Sequence, residues 1–250
     1  MGDVTKKRDD IPTTKPGEQI DDVGSRLKQQ LMAGMLGQPM VKTETTTPRL
    51  IFALDATASR QPTWDTACQL QAEMFRTVPA GLEVQLVYYR SLDECRASKW
   101  VSSGERLAQL MSRVDCQAGV TQIGRVLAHA GREAEKAKVR AMVFIGDAME
   151  ENIDELAAAA GPLRFLGVPV FMFHELPNTD HAAKKIGKPV EQAYREIAHL
   201  TRGAYWRFDA GAAQQLAELL GAVAAYAAGG VKALSGRTDA ATMKLLEQLK

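Results

Sequence analysis

The chain has 250 residues, 46% of them hydrophobic and 24% charged, with a formal net charge of +1. That is enough apolar material for one full-sized core plus some tail. A charge this near zero gives no bulk electrostatic case for nucleic acid or a membrane surface as partner.

The first 46 residues are polar, mixed in charge and rich in Thr, Pro and Gly, the composition of a largely disordered segment. Within it, Val23, Leu27, Leu31 and Met35 recur every four residues, which predicts a short amphipathic helix near 22–36. Such a helix docks either on the domain's own surface or on a partner. The N-terminus "MGDVTKKRDD" has no apolar core and so is no secretory signal. No apolar run is expected to meet the roughly 18–20 residues that span a bilayer. The cytoplasm is the expected compartment. Cys68, Cys95 and Cys116 are odd in number and far apart, which argues against a disulfide framework or a zinc ribbon.

From Pro48 onward, apolar runs alternate with helical spacing. "RLIFALD" is continuously apolar, as expected of a strand covered on both faces. "TWDTACQLQAEMFRTV" has the spacing of a helix, with Ala67, Leu70 and Met74 on one side. "LEVQLVYYR" is a second strand, and "ASKWVSS" is expected to pair back on it as a short edge strand. "SGERLAQLMSRV" and "TQIGRVLAHAGREAEKA" are helices. "VRAMVFIGD" is a strand, "NIDELAAAAGPLRFLG" a helix, "VPVFMFHE" a strand and "PVEQAYREIAHLTRG" a helix. "AYWRF" is the last strand, followed by an alanine-rich helix. The alternation predicts an α/β domain over 47–230, a doubly wound, Rossmann-like, mostly parallel six-stranded sheet with helices on both faces. Residues 231–250 read as a linker and a short amphipathic helix with Met243, Leu246 and Leu249 to bury.

In open parallel sheets, ligands bind outside the carboxyl ends of the strands where the winding reverses. The first strand ends in Asp55, Thr57 and Ser59. Thr121 stands at the start of the helix opened by "GVTQIG", and Asp147 ends the strand "VRAMVFIGD". Singly, each segment is better explained as a helix cap than as a ligand. Together, five oxygen-bearing side chains from three segments suit a hard cation such as Mg²⁺ or Mn²⁺.

This pattern resembles the metal-ion-dependent adhesion site of von Willebrand factor type A domains. The elements that carry the resemblance are Asp-x-Thr-x-Ser at 55–59, Gly119-x-Thr121 and Gly146-Asp147. The resemblance implies that Thr57, Ser59 and Thr121 bind the metal directly, and that Asp55 and Asp147 act mainly through water. It further implies that a partner's Glu or Asp completes the shell. The chain departs from the usual pattern in having Thr57 for Ser and Ala148 after the aspartate, and in placing Arg60 directly behind the motif.

The loop after the fifth core strand carries His174, Glu175, Asp180 and His181. It lacks metal-ligand spacing, and its place on the same sheet edge makes it the expected partner-binding loop. "GREAEKAK" and "MEENIDE" read as solvated charged faces. There is no G-x-S-x-G elbow, P-loop or Asp-x-Asp phosphotransferase pattern. The expected function is therefore a non-enzymatic, divalent-metal-dependent protein-binding module. By resemblance, it serves a multiprotein assembly such as an AAA+ ATPase or stress-response complex. The alternatives are a scaffold with a degenerate site that binds through helices and tails, and a metal-dependent hydrolase using His174 or Glu175 as base.

Overall fold

The computed structural model describes residues 47–61, 81–176, 183–208 and 213–249. The predicted helices near 22–36 and over 63–78 lie outside these residues. The sheet contains β1 (Arg49–Asp55), β2 (Glu83–Arg90), β3 (Glu94–Ala97), β4 (Val139–Gly146), β5 (Val170–Glu175) and β6 (Ala204–Phe208). Their order is β3-β2-β1-β4-β5-β6. All neighbours are parallel except β3, which runs antiparallel to β2. The described helices are α1 (Gly104–Met111), α2 (Ile123–Lys136), α3 (Ile153–Phe165), α4 (Ala183–Thr201), α5 (Ala213–Leu234) and α6 (Ala240–Gln248).

β1 is central because both its faces are apolar. Leu50, Phe52 and Leu54 join Val143, Ile145 and the α5 residues Leu220 and Val223 on one face. Ile51 and Ala53 join Met142 and Phe144, with Leu127 of α2, Leu156 of α3 and Tyr194 of α4, on the other. Successive side chains of a strand point to opposite faces, so a continuous apolar run is what a doubly covered strand requires. The chain leaves β1 toward β2 on one side and leaves β4 toward β5 on the other. The carboxyl ends of β1 and β4 therefore flank the crevice where the winding reverses.

Two boundaries differ from expectation. The edge strand forms at Glu94–Ala97 rather than over 97–103, because the hairpin turns at once through Ser91 in the left-handed region (φ 56°). Of the predicted stretch, Ala97 closes the strand opposite Val87 and Val101 pairs in an isolated bridge with Val84. The predicted linker is partly helical: α5 continues to Leu234 across a break at Gly230 (φ 66°, ψ −160°). By length and composition, Gln214–Leu234 would also qualify to cross a membrane, against the expectation that no run does. Its alanines keep the mean hydropathy high without long side chains, and Leu216, Leu219, Leu220 and Val223 are buried on the sheet.

α6 docks on the domain by most of the predicted face, with Met243 the exception. Ala241 and Leu245 are buried, Leu246 and Leu249 are half-buried, and Met243 is exposed. The reason lies at the sheet edge. Gln248 Oε1 accepts from Tyr205 N–H at 2.9 Å, and its Nε2 donates to Tyr205 O at 3.2 Å. α6 thereby occupies backbone groups of β6 that an edge strand would otherwise present for intermolecular pairing. Asp239 caps the helix by accepting from Thr242 N–H at 2.9 Å. Leu245→Ala should lower unfolding stability by about 2–5 kcal/mol. Denaturant titration checks this, and a change below about 1 kcal/mol would show that α6 is not part of the core.

Candidate metal centre

β1 ends in a carboxylate with no exposed surface. Asp55 Oδ1 accepts from Thr57 N–H at 2.8 Å, closing an Asx-type turn. Its Oδ2 accepts from the buried Tyr89 hydroxyl at 2.9 Å. Ala56, fully buried, continues the pairing by donating to Tyr89 O at 2.9 Å. The turn then brings Thr57 Oγ1 and Ser59 Oγ to 3.2 Å of each other. Thr57 is buried, and Ser59 is exposed at the mouth.

The second segment is held against the first by backbone. Gln117 N–H donates to Ala56 O at 3.0 Å, and Val120 N–H to Ser91 O at 3.2 Å. Gly119 passes so close to Ser91 that a Cβ would lie 2.1 Å from its carbonyl oxygen. This is a steric reason for glycine two residues before Thr121. Thr121 sits two residues ahead of α2 rather than in its first turn. Its Oγ1 accepts from Glu150 N–H, and its own N–H donates to Glu150 Oε2, each at 2.9 Å.

The third segment follows β4. Asp147 Oδ1 is buried and has no hydrogen-bond partner among the described residues. The loop behind it is pinned by Tyr194, fully buried in α4, whose hydroxyl donates to Ala148 O at 2.8 Å. Thr57, Ser59, Gly119, Thr121, Ala148 and Glu150 are among the residues lining one depression of about 280 Å³.

Among the described residues, no group of three or more His, Cys, Asp or Glu side chains could hold a metal. A cation here must rely on hydroxyl oxygens, as the sequence pattern requires. The donors fit a hard ion. Neighbouring ligands of an octahedral ion with bonds of about 2.1 Å lie about 3 Å apart, close to the 3.2 Å between Thr57 Oγ1 and Ser59 Oγ. An unsatisfied buried carboxylate oxygen, such as Asp147 Oδ1, is costly unless a proton or cation meets it. Burial pushes the Asp55 carboxyl up from 3.8 to about 6, with the Asp147 charge adding and the Thr57 and Tyr89 hydrogen bonds opposing.

The expected partner-binding loop is corrected in part. β5 runs through Glu175, and both His174 and Glu175 are buried. They pair in register with Arg207 and Phe208 of β6, which holds them inside the sheet. His174 Nδ1 lies 2.9 Å from the Tyr205 hydroxyl, and burial brings its pKa down to about 4. Glu175 forms a buried ion pair with Arg60. That pair accounts for the arginine behind the motif: its charge is met from β5. Asp180 and His181 lie outside the described residues. "MEENIDE" is also not simply a solvated face. Glu151 accepts from Ile123 N–H at 2.7 Å and from Gly124 N–H at 2.8 Å, capping α2, while Glu150 holds Thr121 just ahead of it. No local signal marks either glutamate, since their partners lie 27–29 residues away.

No protein-family model matches the sequence, and no curated protein is similar to it. Solved structures are similar in fold. An aerotolerance-related membrane protein from Bacteroides fragilis superposes with a TM-score of 0.53 at 20% identity, over 68% of this chain and 96% of that one. Proximal thread matrix protein 1 from the mussel byssus gives 0.55 at 16% identity. The ArnB paralog VWA2 from Sulfolobus acidocaldarius gives 0.51 at 9% identity. The fold is that of a von Willebrand factor type A domain. This chain covers 70% of itself but 45% of the other chain in each of the last two matches, so the likeness is one of domain architecture.

Two predictions follow from the charges. A carboxyl whose pKa is raised on folding binds its proton more tightly in the folded state. Asp55 therefore lowers stability as pH rises from 3.8 to about 6, by about 3 kcal/mol in total. Asp55→Asn should stabilise the cation-free protein by up to that amount at pH 7.5, with the gain vanishing near pH 4. His174 works in the opposite sense, losing stability as pH falls from 6.5 toward about 4. The difference between wild type and variant cancels it. Unfolding titrations across pH that show a constant difference would contradict the Asp55 assignment. Separately, Arg60→Met should cost about 3–5 kcal/mol by stranding the buried Glu175 carboxylate. Replacing both with apolar residues should recover most of that loss, and additive losses in the double-mutant cycle would contradict the pairing.

Proposed function

We propose that this domain is a divalent-cation-dependent binding module that receives an acidic side chain of a protein partner. Mg²⁺ or Mn²⁺ would be held by Thr57, Ser59 and Thr121, with Asp55 and Asp147 behind them. The observation that carries this reading is the buried Oδ1 of Asp147, without a hydrogen-bond partner among the described residues, at the same sheet edge as the Thr57–Ser59 hydroxyl pair. Three hydroxyls leave the ion electron-poor, so it retains affinity for one more carboxylate. The chain's own residues orient the donors: the Asx turn fixes Thr57, Gly119 lets Thr121 approach, and Tyr194 steadies the loop after Asp147. A hydrolase needs a base beside the metal. The two candidates, His174 and Glu175, are engaged by Tyr205 and Arg60 instead.

Chelator-insensitive binding through a helix face is a second reading, favoured by one feature. Phe165, at the end of α3, is 90% exposed, and a partner on it would not need the cation.

Thermal melts with and without Mn²⁺ test the main reading. At a hundredfold excess over Kd, the ion should add about 2.7 kcal/mol to wild type. It should add little to Ser59→Ala, whose exposed hydroxyl contributes little to folding. Equal shifts in both proteins, or none in either, would overturn it.

A further inference from the structure

One carboxylate in the depression has no place among the five predicted ligands. Glu150 lines it together with Thr57, Ser59 and Thr121. Its Oε2 accepts from the N–H of Thr121, whose hydroxyl is itself a candidate ligand. Its Oε1 has no hydrogen bond among the described residues. The side chain is exposed, so it can rotate without disturbing the core. Glu151, next in sequence, differs: both its oxygens are committed to α2 amides, and it does not line the depression. An ion on the hydroxyls would thus find a carboxylate of the same chain at the position an incoming acid has to enter.

We propose that Glu150 is the domain's own occupant of the coordination position open to a partner's carboxylate, so that the cation-loaded site is self-capped and a partner must displace it. This rests on the metal reading above. The exchange is cheap: one charge-assisted hydrogen bond to Thr121 N–H is given up for one oxygen–metal bond. Thr121 keeps its second tie to this loop, since its Oγ1 still accepts from Glu150 N–H. A chain that caps itself also discriminates. Stray carboxylates in solution compete with an intramolecular one at high effective concentration, whereas a partner with additional contacts can win.

Water-proton relaxation of the full chain titrated with Mn²⁺ tests this. The wild-type complex should carry about one fewer exchangeable metal-bound water than Glu150→Ala. Added acetate should displace a water from Glu150→Ala and leave wild type unchanged. Glu151→Gln should behave as wild type, although it loosens α2. Equal water counts and equal acetate responses in wild type and Glu150→Ala would overturn the proposal alone, provided Mn²⁺ binds and Ser59→Ala weakens it. If wild type binds no Mn²⁺, the metal reading falls and this proposal with it.

Discussion

A fully buried carboxylate at the end of the central strand is the constraint around which the crevice is built. Asp55 cannot be solvated, so its charge must be met by fixed dipoles. Thr57 N–H and the Tyr89 hydroxyl meet it. The first of these bonds is what turns the chain into Thr57 and Ser59. The second requires a tyrosine in register on β2, where Asp55 and Tyr89 are paired residues. With both oxygens engaged, Asp55 is rigid but still costly in its ionised form. A cation held nearby by the hydroxyls would relieve that cost, which couples folding to cation binding.

The Arg60–Glu175 pair solves a related problem two strands away, across β4. An arginine directly after a cation site would repel the ion if its charge were free. Glu175 meets that charge inside the sheet, at the end of β5. Such a pair contributes little net stability compared with apolar residues of the same shape. Its effect is geometric, since it ties the short 3-10 turn at Ala58–Arg60 to β5. Tyr194 does comparable work on the other side, packing edge-on against Phe144 and His174 while holding the Ala148 carbonyl. The segments that carry the candidate ligands are thus anchored from β2, β5 and α4, none of which supplies a candidate ligand.

Much of this was legible in the chain. "RLIFALD" and "VRAMVFIG" are buried on both faces, as their unbroken apolar runs imply, and the mostly parallel sheet follows from the strand–helix alternation. Asp55, Thr57 and Ser59 lie within five residues, and Gly119-x-Thr121 carries its own steric logic. The unread parts are long-range or depend on what a strand meets beyond its apolar run. His174 and Glu175 close the expected strand "VPVFMFHE" and also head the expected loop, and pairing with β6 and partners in Tyr205 and Arg60 decides for the sheet. Glu150 and Glu151 look like solvated helix charges until α2 is placed above them. On α6, Leu246 and Leu249 pack on the core as their spacing implies, but Met243 stays exposed, because periodicity cannot know that Gln248 must reach the backbone of Tyr205.

The account turns on whether a cation sits among these oxygens. Anomalous diffraction from crystals grown with Mn²⁺ measures that directly. A single peak within about 2.0–2.3 Å of the Thr57, Ser59 and Thr121 hydroxyl oxygens, with Asp147 Oδ1 turned toward it directly or through one water, is the predicted result. No peak at the carboxyl ends of β1 and β4 in saturating Mn²⁺, or a peak held only by exposed carboxylates elsewhere, would contradict it.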